Sequence, residues 1–116
     1  MSSPQVKTRA EIPAAEVAHV VDLAGYQEGS VVSRTIIKRE KGNVTLFAFD
    51  QGQALSEHTA PFDALAHVLE GEVEITVSGR PMQAGAGEMV LMPADQPHAL
   101  KAITKFKMLL TMIRSA

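Results

Sequence analysis

The chain has no cysteine and no tryptophan, and its aromatic residues are one tyrosine and four phenylalanines. Without cysteine there are no disulfides, thiolate zinc sites, iron–sulfur clusters or cysteine nucleophiles. Any metal must be held by imidazole, carboxylate or weak thioether ligands. So few aromatic rings leave no stacking platform for single-stranded nucleic acid. Neither sign of charge dominates: 11 Lys and Arg against 13 Asp and Glu give a net charge of −2. A chain so balanced has no electrostatic footprint for DNA or RNA. No apolar run approaches the roughly 18 residues that a membrane-spanning helix needs. The stretch Met1-Ser-Ser-Pro-Gln-Val-Lys has no apolar segment of the kind a secretory signal carries, so a cytoplasmic location is expected.

What is present suits one compact domain. The 116 residues are 46% apolar and 21% charged, close to the globular average. Residues 1–24 are expected to form an N-terminal arm with a short helix or strand, and residues 25–116 a β-barrel domain. Pro13 suits the first position of a short helix, whereas His19–Leu23 fits a short strand equally well.

From Gly25 onward, glycines divide the chain into short segments rich in Val, Ile, Thr and Phe. Strands are expected over Val31–Lys38, Asn43–Phe49, Ala54–Thr59, Ala64–Leu69, Glu72–Val77, Glu88–Met92, His98–Ala102 and Lys105–Ile113. Many short strands with close turns indicate an all-β sandwich or barrel. Val73, Ile75 and Val77 share one face of their strand, with Glu72, Glu74 and Thr76 on the other. The same parity points His98 inward with Leu100 and Ala102. Asn43–Phe49 and Lys105–Ile113 are apolar on both faces. Such strands need cover on both sides. In a domain this small, a second subunit would supply the outer cover, so a homodimer is expected.

Several motifs are ruled out. Gly85-Ala-Gly87 lacks the third glycine of a dinucleotide loop and leads into a strand. No Gly-x-Ser-x-Gly elbow exists. Asn43-Val-Thr45 is a glycosylation sequon in letters only.

Two spacings carry more information. In the first, Gly52 is followed by five residues, then His58; Ala60 comes two later, Ala64 four after that, and Gly71 after six more residues. In the second, Gly87 is followed by five residues, then Pro93; Asp95 comes two later, His98 three after that and Ala102 four after that. The frame resembles the two motifs of the cupin family. The first motif is Gly, five, His, one, His, three or four, Glu, six, Gly. The second is Gly, five, Pro, one, Gly, two, His, three, Asn. The intervening 15 residues, Glu72 to Ala86, match the spacing of small bacterial cupins, and the likeness covers roughly residues 44–113. The resemblance implies a jelly-roll barrel, also called a double-stranded β-helix.

The frame is present but its chemistry is reduced. Of the family's four metal ligands, only His58 and His98 remain, with Ala60 and Ala64 at the other two positions. Asp95 replaces a turn glycine, which Asp tolerates, and Ala102 replaces the terminal Asn. Two imidazoles alone make a poor divalent site, so a third ligand has to be recruited. Asp63 would complete two His and one carboxylate if a one-residue bulge between His58 and Ala64 turned it inward. His67 and Glu57 are at odd spacings and face away on regular strands. The alternatives are plainer. His58 and His98 line a cavity as hydrogen-bonded groups, Asp63 caps the turn after Pro61, and His67 belongs to the outer face at a dimer contact. Met82, Met89, Met92, Met108 and Met112 read as gap-filling core rather than copper ligands.

The expected function is binding of a small organic molecule in the barrel cavity, with His58 and His98 as its polar anchors. The alternative is a metal-dependent oxygenase or isomerase using His58, His98 and a recruited Asp63. It would carry one divalent transition metal from among Fe, Mn, Ni, Cu and Zn. A third reading is a metal-free enzyme in which a histidine serves as acid or base. Nucleic acid and membrane are not expected as partners.

Overall fold

The structure, a computed structural model, describes residues 11–114. The first ten residues of the expected arm over residues 1–24 therefore lie outside the described residues.

Nine strands follow a short 3-10 turn at Val20–Asp22. They are β1 (Val31–Arg39), β2 (Gly42–Phe49), β3 (Ala54–His58), β4 (Phe62–Glu70), β5 (Glu72–Val77), β6 (Arg80–Gly85), β7 (Met89–Met92), β8 (His98–Ala102) and β9 (Phe106–Arg114). Every pairing is antiparallel. They form a five-stranded sheet, β1-β2-β9-β4-β7, and a four-stranded sheet, β3-β8-β5-β6. The two sheets face each other as a jelly-roll barrel. Among the described residues no helix is long and apolar enough to cross a membrane.

The alternation read from the sequence sets which side chains fill the barrel. Val73 and Ile75 are fully buried, and Leu100 and Ala102 nearly so, while Lys101 is exposed. From the facing sheet come Phe49, Val68, Phe106 and Met108, all fully buried. Phe49 and Phe106 lie directly opposite in the β2–β9 register and stack at 4.6 Å between ring centroids. Burying each such side chain stabilises the fold by roughly 1.5–3 kcal/mol. Gly71 joins β4 to β5 at φ +80°, and a Cβ there would lie 2.0 Å from the Lys105 carbonyl oxygen. Only glycine accommodates both the left-handed backbone and that approach.

One strand, β6, was not expected. Its sequence, Arg-Pro-Met-Gln-Ala-Gly, carries a proline and a terminal glycine and lacks β-branched residues. It lies at an edge of its sheet, where Pro81 has no further neighbour to which it would need to donate a ladder bond.

The outer face of the five-stranded sheet has cover from within the chain. Leu46 and Ala48 of β2 and Leu109 of β9 pack with Ala24, Val20, Leu23 and Tyr26. Tyr26 donates to Glu70 Oε2 at 2.6 Å, and the buried Lys107 ammonium donates to the Val21 carbonyl. Burial, then the Glu70 carboxylate, push the Tyr26 phenol well above its usual ionisation range. Residues 20–26 thus form a strap over strands whose two apolar faces were expected to need a second subunit. Beyond the strap, the same sheet leaves Met89, Leu91 and Ile113 more than half exposed. Met89 is therefore not the gap-filling core residue that was expected.

Candidate functional site

The barrel has two unlike ends. At one, the register pairs Phe49 with Phe106 and Val73 with Ala102. At the other it pairs Val77 with His98, and Ala64 with both Met92 and Met112. The second end holds the two histidines.

A β-bulge turns His58 toward His98. Leu55 of β3 pairs with Leu100 of β8, and His58 pairs with His98. Three residues on β3 are thus matched by two on β8, leaving one extra residue at Ser56–Glu57. On a regular strand His58 would face away from Leu55. The bulge restores it to the side of Leu55, which packs against the core. The imidazoles of His58 and His98 then meet at 4.3 Å between centroids, edge to face at 64°. His98 is buried, at 8% exposure, while His58 is exposed at the rim.

Both rings are held in the same way. Nδ1 of His58 donates to the carbonyl of Ser56 at 2.8 Å, and Nδ1 of His98 donates to the carbonyl of Gln96 at 3.2 Å. A carbonyl only accepts, so each neutral ring carries its proton on Nδ1 and keeps the Nε2 lone pair free. Burial lowers the pKa of His98 below the ordinary 6.5, its Gln96 bond opposes that shift, and His58 adds to it. At neutral pH His98 therefore offers a lone pair rather than a positive charge.

The loop between β7 and β8 is stitched to this end of the barrel. The Asp95 amide donates to the Ala60 carbonyl, and the Ala94 amide donates to Asp63 Oδ1, at 2.8 and 2.9 Å. Asp95 has φ 65°, the left-handed conformation that the family's glycine would take. The β4–β9 register runs without a break from Phe62 to Val68, so the bulge that would turn Asp63 inward does not occur. Asp63 instead shares an outward row with the exposed Ile113 and caps the loop. His67 is on the same outer face, paired with Met89 and Leu109. Glu57 is exposed at the bulge.

The structure thus brings together His58 and His98 and leaves Asp63, His67 and Glu57 elsewhere. Among the described residues no three His, Cys, Asp or Glu gather as a metal would require. The four-ligand divalent metal implied by the resemblance does not fit this set, because two of its positions end in methyl groups. Sequence reasoning missed the bulge at Ser56–Glu57 and the two carbonyl anchors. The histidine-minus-two spacing of both anchors is their one sequence signal.

The family profile described as Cupin domain matches residues 45–114, well over half of the chain. The chain belongs to the cupin family. Several solved structures share this cupin's fold. A conserved protein of unknown function from Streptococcus pyogenes is 31% identical with a TM-score of 0.87, over 96% of this chain and 97% of that one. A cupin 2 conserved barrel domain protein from Leptotrichia buccalis is 37% identical with a TM-score of 0.79, and the match spans 81% of this chain but 46% of that one. A cupin superfamily protein from Desulfitobacterium hafniense is 24% identical with a TM-score of 0.85, over 91% and 97% of the two chains, and its likeness is one of fold. No curated protein matches the sequence.

Proposed function

We propose that this cupin binds a small organic molecule at the histidine-bearing end of its barrel. The observation that carries the reading is the pair of imidazoles, each locked with Nε2 free, set among apolar side chains. Such a site suits a largely apolar compound that presents hydrogen-bond donors, such as hydroxyl or amide N–H groups, to the two lone pairs. A compound carrying only acceptors would leave the buried His98 lone pair unmatched, at a penalty of about 1–3 kcal/mol.

The test is a fragment screen by NMR at pH 7.5, comparing hydroxy compounds with their methyl ethers. Hydroxy compounds are expected to perturb the ring signals of His58 and His98, with the effect lost in His98→Ala. Ethers binding as well as hydroxy compounds, or no compound perturbing either ring, would overturn the reading.

The protein is also proposed to act as a homodimer through the part of the five-stranded sheet that the strap leaves bare. Met89, Leu91 and Ile113 supply its exposed apolar side chains. Light scattering at micromolar concentration tests this: a dimer is expected for the native chain, and a monomer would refute it.

A further inference from the structure

His98 is delivered to its place by the residues between β7 and β8, Pro93-Ala94-Asp95-Gln96-Pro97. The two prolines donate nothing from the backbone, which leaves the amides of Ala94, Asp95 and Gln96. Each of these has an acceptor. Ala94 donates to Asp63 Oδ1 at 2.9 Å, Asp95 to the Ala60 carbonyl at 2.8 Å and Gln96 to the Pro93 carbonyl at 3.4 Å. The far end of the loop is tied as well. Ser78 donates its amide to the Pro97 carbonyl at 2.8 Å and its hydroxyl to Gln96 Oε1 at 3.0 Å. Of the three acceptors for loop amides, only Asp63 is a side chain; the others are carbonyls that no substitution removes.

The loop joins the two rings. Its Gln96 carbonyl anchors Nδ1 of His98, and its bond to Ala60 holds the stretch that leaves β3 just after His58. Its turn runs through Asp95, whose φ of 65° is a costly conformation for a residue with a Cβ and persists only where surrounding contacts enforce it. The Asp63–Ala94 bond is the contact immediately before that turn. Deleting the Asp63 carboxyl orphans a part-buried amide, which then gains by turning elsewhere. We propose that Asp63 is a positioning residue for the histidine pair: by taking the Ala94 amide it fixes the Pro93–Pro97 loop and so holds the His98 ring against the His58 ring. The inference bears on ligand binding only through the proposed function, on which that consequence rests. The ring geometry itself is tested without ligand, so either idea can fail while the other stands.

The experiment is NMR of the full chain, free of ligand, in the native form and in Asp63→Ala, Asp63→Asn and Tyr26→Phe. In the native chain the Ala94 amide is expected to exchange at least about 100-fold more slowly than an unprotected amide. In Asp63→Ala the proton contacts between the His58 and His98 rings are expected to fall by about threefold or more, the change that a loosening of roughly 1 Å produces. Asp63→Asn is expected to restore them, because its side-chain oxygen still accepts the Ala94 N–H. Tyr26→Phe is the control for lost stability. It removes a side-chain bond at the other end of β4, on Glu70, and is expected to lower the melting temperature by a few degrees, as Asp63→Ala does, with the rings unmoved. Ala94→Pro deletes the donor of the same bond and supplies the reading if Asp63→Ala does not fold. Native ring contacts in the variant that lacks the bond, an Asp63→Asn chain that behaves like Asp63→Ala, rings displaced equally in Tyr26→Phe, or a freely exchanging Ala94 amide would each overturn the proposal.

Discussion

One end of the barrel is filled by stacked aromatic rings and the other carries the histidine pair, although the same strands build both. At the aromatic end, Phe49 stacks on Phe106 above Val73 and Ala102, and none of the four is more than 2% exposed. At the histidine end the corresponding positions hold Met112, Val77 and two histidines, and His58 reaches solvent. In chemical terms, one end is filled with aromatic volume, while the other carries two imidazoles anchored through Nδ1. Stability and binding should therefore separate by end.

The largest effect is expected from Phe106→Ala, at about 4 kcal/mol of destabilisation in urea unfolding. His98→Ala, which removes the ring paired with His58 across β3 and β8, should lose ligand binding at a cost of about 1 kcal/mol or less. A reversal of those two magnitudes would break the division of labour. Gly71→Ala, also at the aromatic end, is expected to cost about 3 kcal/mol, because its φ of +80° and the Lys105 carbonyl leave no place for a methyl group. Tyr26→Phe removes the bond to Glu70 that fastens the strap and should cost about 1 kcal/mol without altering ligand binding. The smallest effect is in pH. His98 titrates below 6.5 in the folded protein, so folding favours its neutral form. That contribution is fully present above pH 6.5 and is lost as the pH falls through and below that value. An NMR titration checks it; a His98 pKa above 6.5 would mean that the ring is not desolvated.

The same contrast explains what was legible in the sequence. Strands with strict alternation, such as Glu72–Val77 and His98–Ala102, could be read to the residue, because burial on one face leaves a period of two. The cupin frame could be read because its glycines and proline mark turns whose geometry admits few residues. The edge strand β6 was hidden because an edge tolerates Pro81 and needs no β-branched core face. The cover over Leu46 and Ala48 was assigned to a second subunit because nothing local shows that Val20–Tyr26 folds back onto them. The site was legible in identity but not in geometry. A bulge was required, and the sequence did not show where: it falls before His58, at Ser56–Glu57, rather than before Ala64. That single residue's placement is why His58 joins His98 and Asp63 does not.

The central claim is that residues 58 and 98 bring two imidazoles edge to face at one end of the barrel, each protonated on Nδ1 and free on Nε2. A long-range proton–nitrogen correlation spectrum of the histidine rings at pH 8, combined with cross-ring proton contacts, tests it directly. Both rings are expected in the Nδ1–H form with contacts between the rings of His58 and His98. An Nε2–H form in either ring, or rings that show no mutual contact, would contradict it.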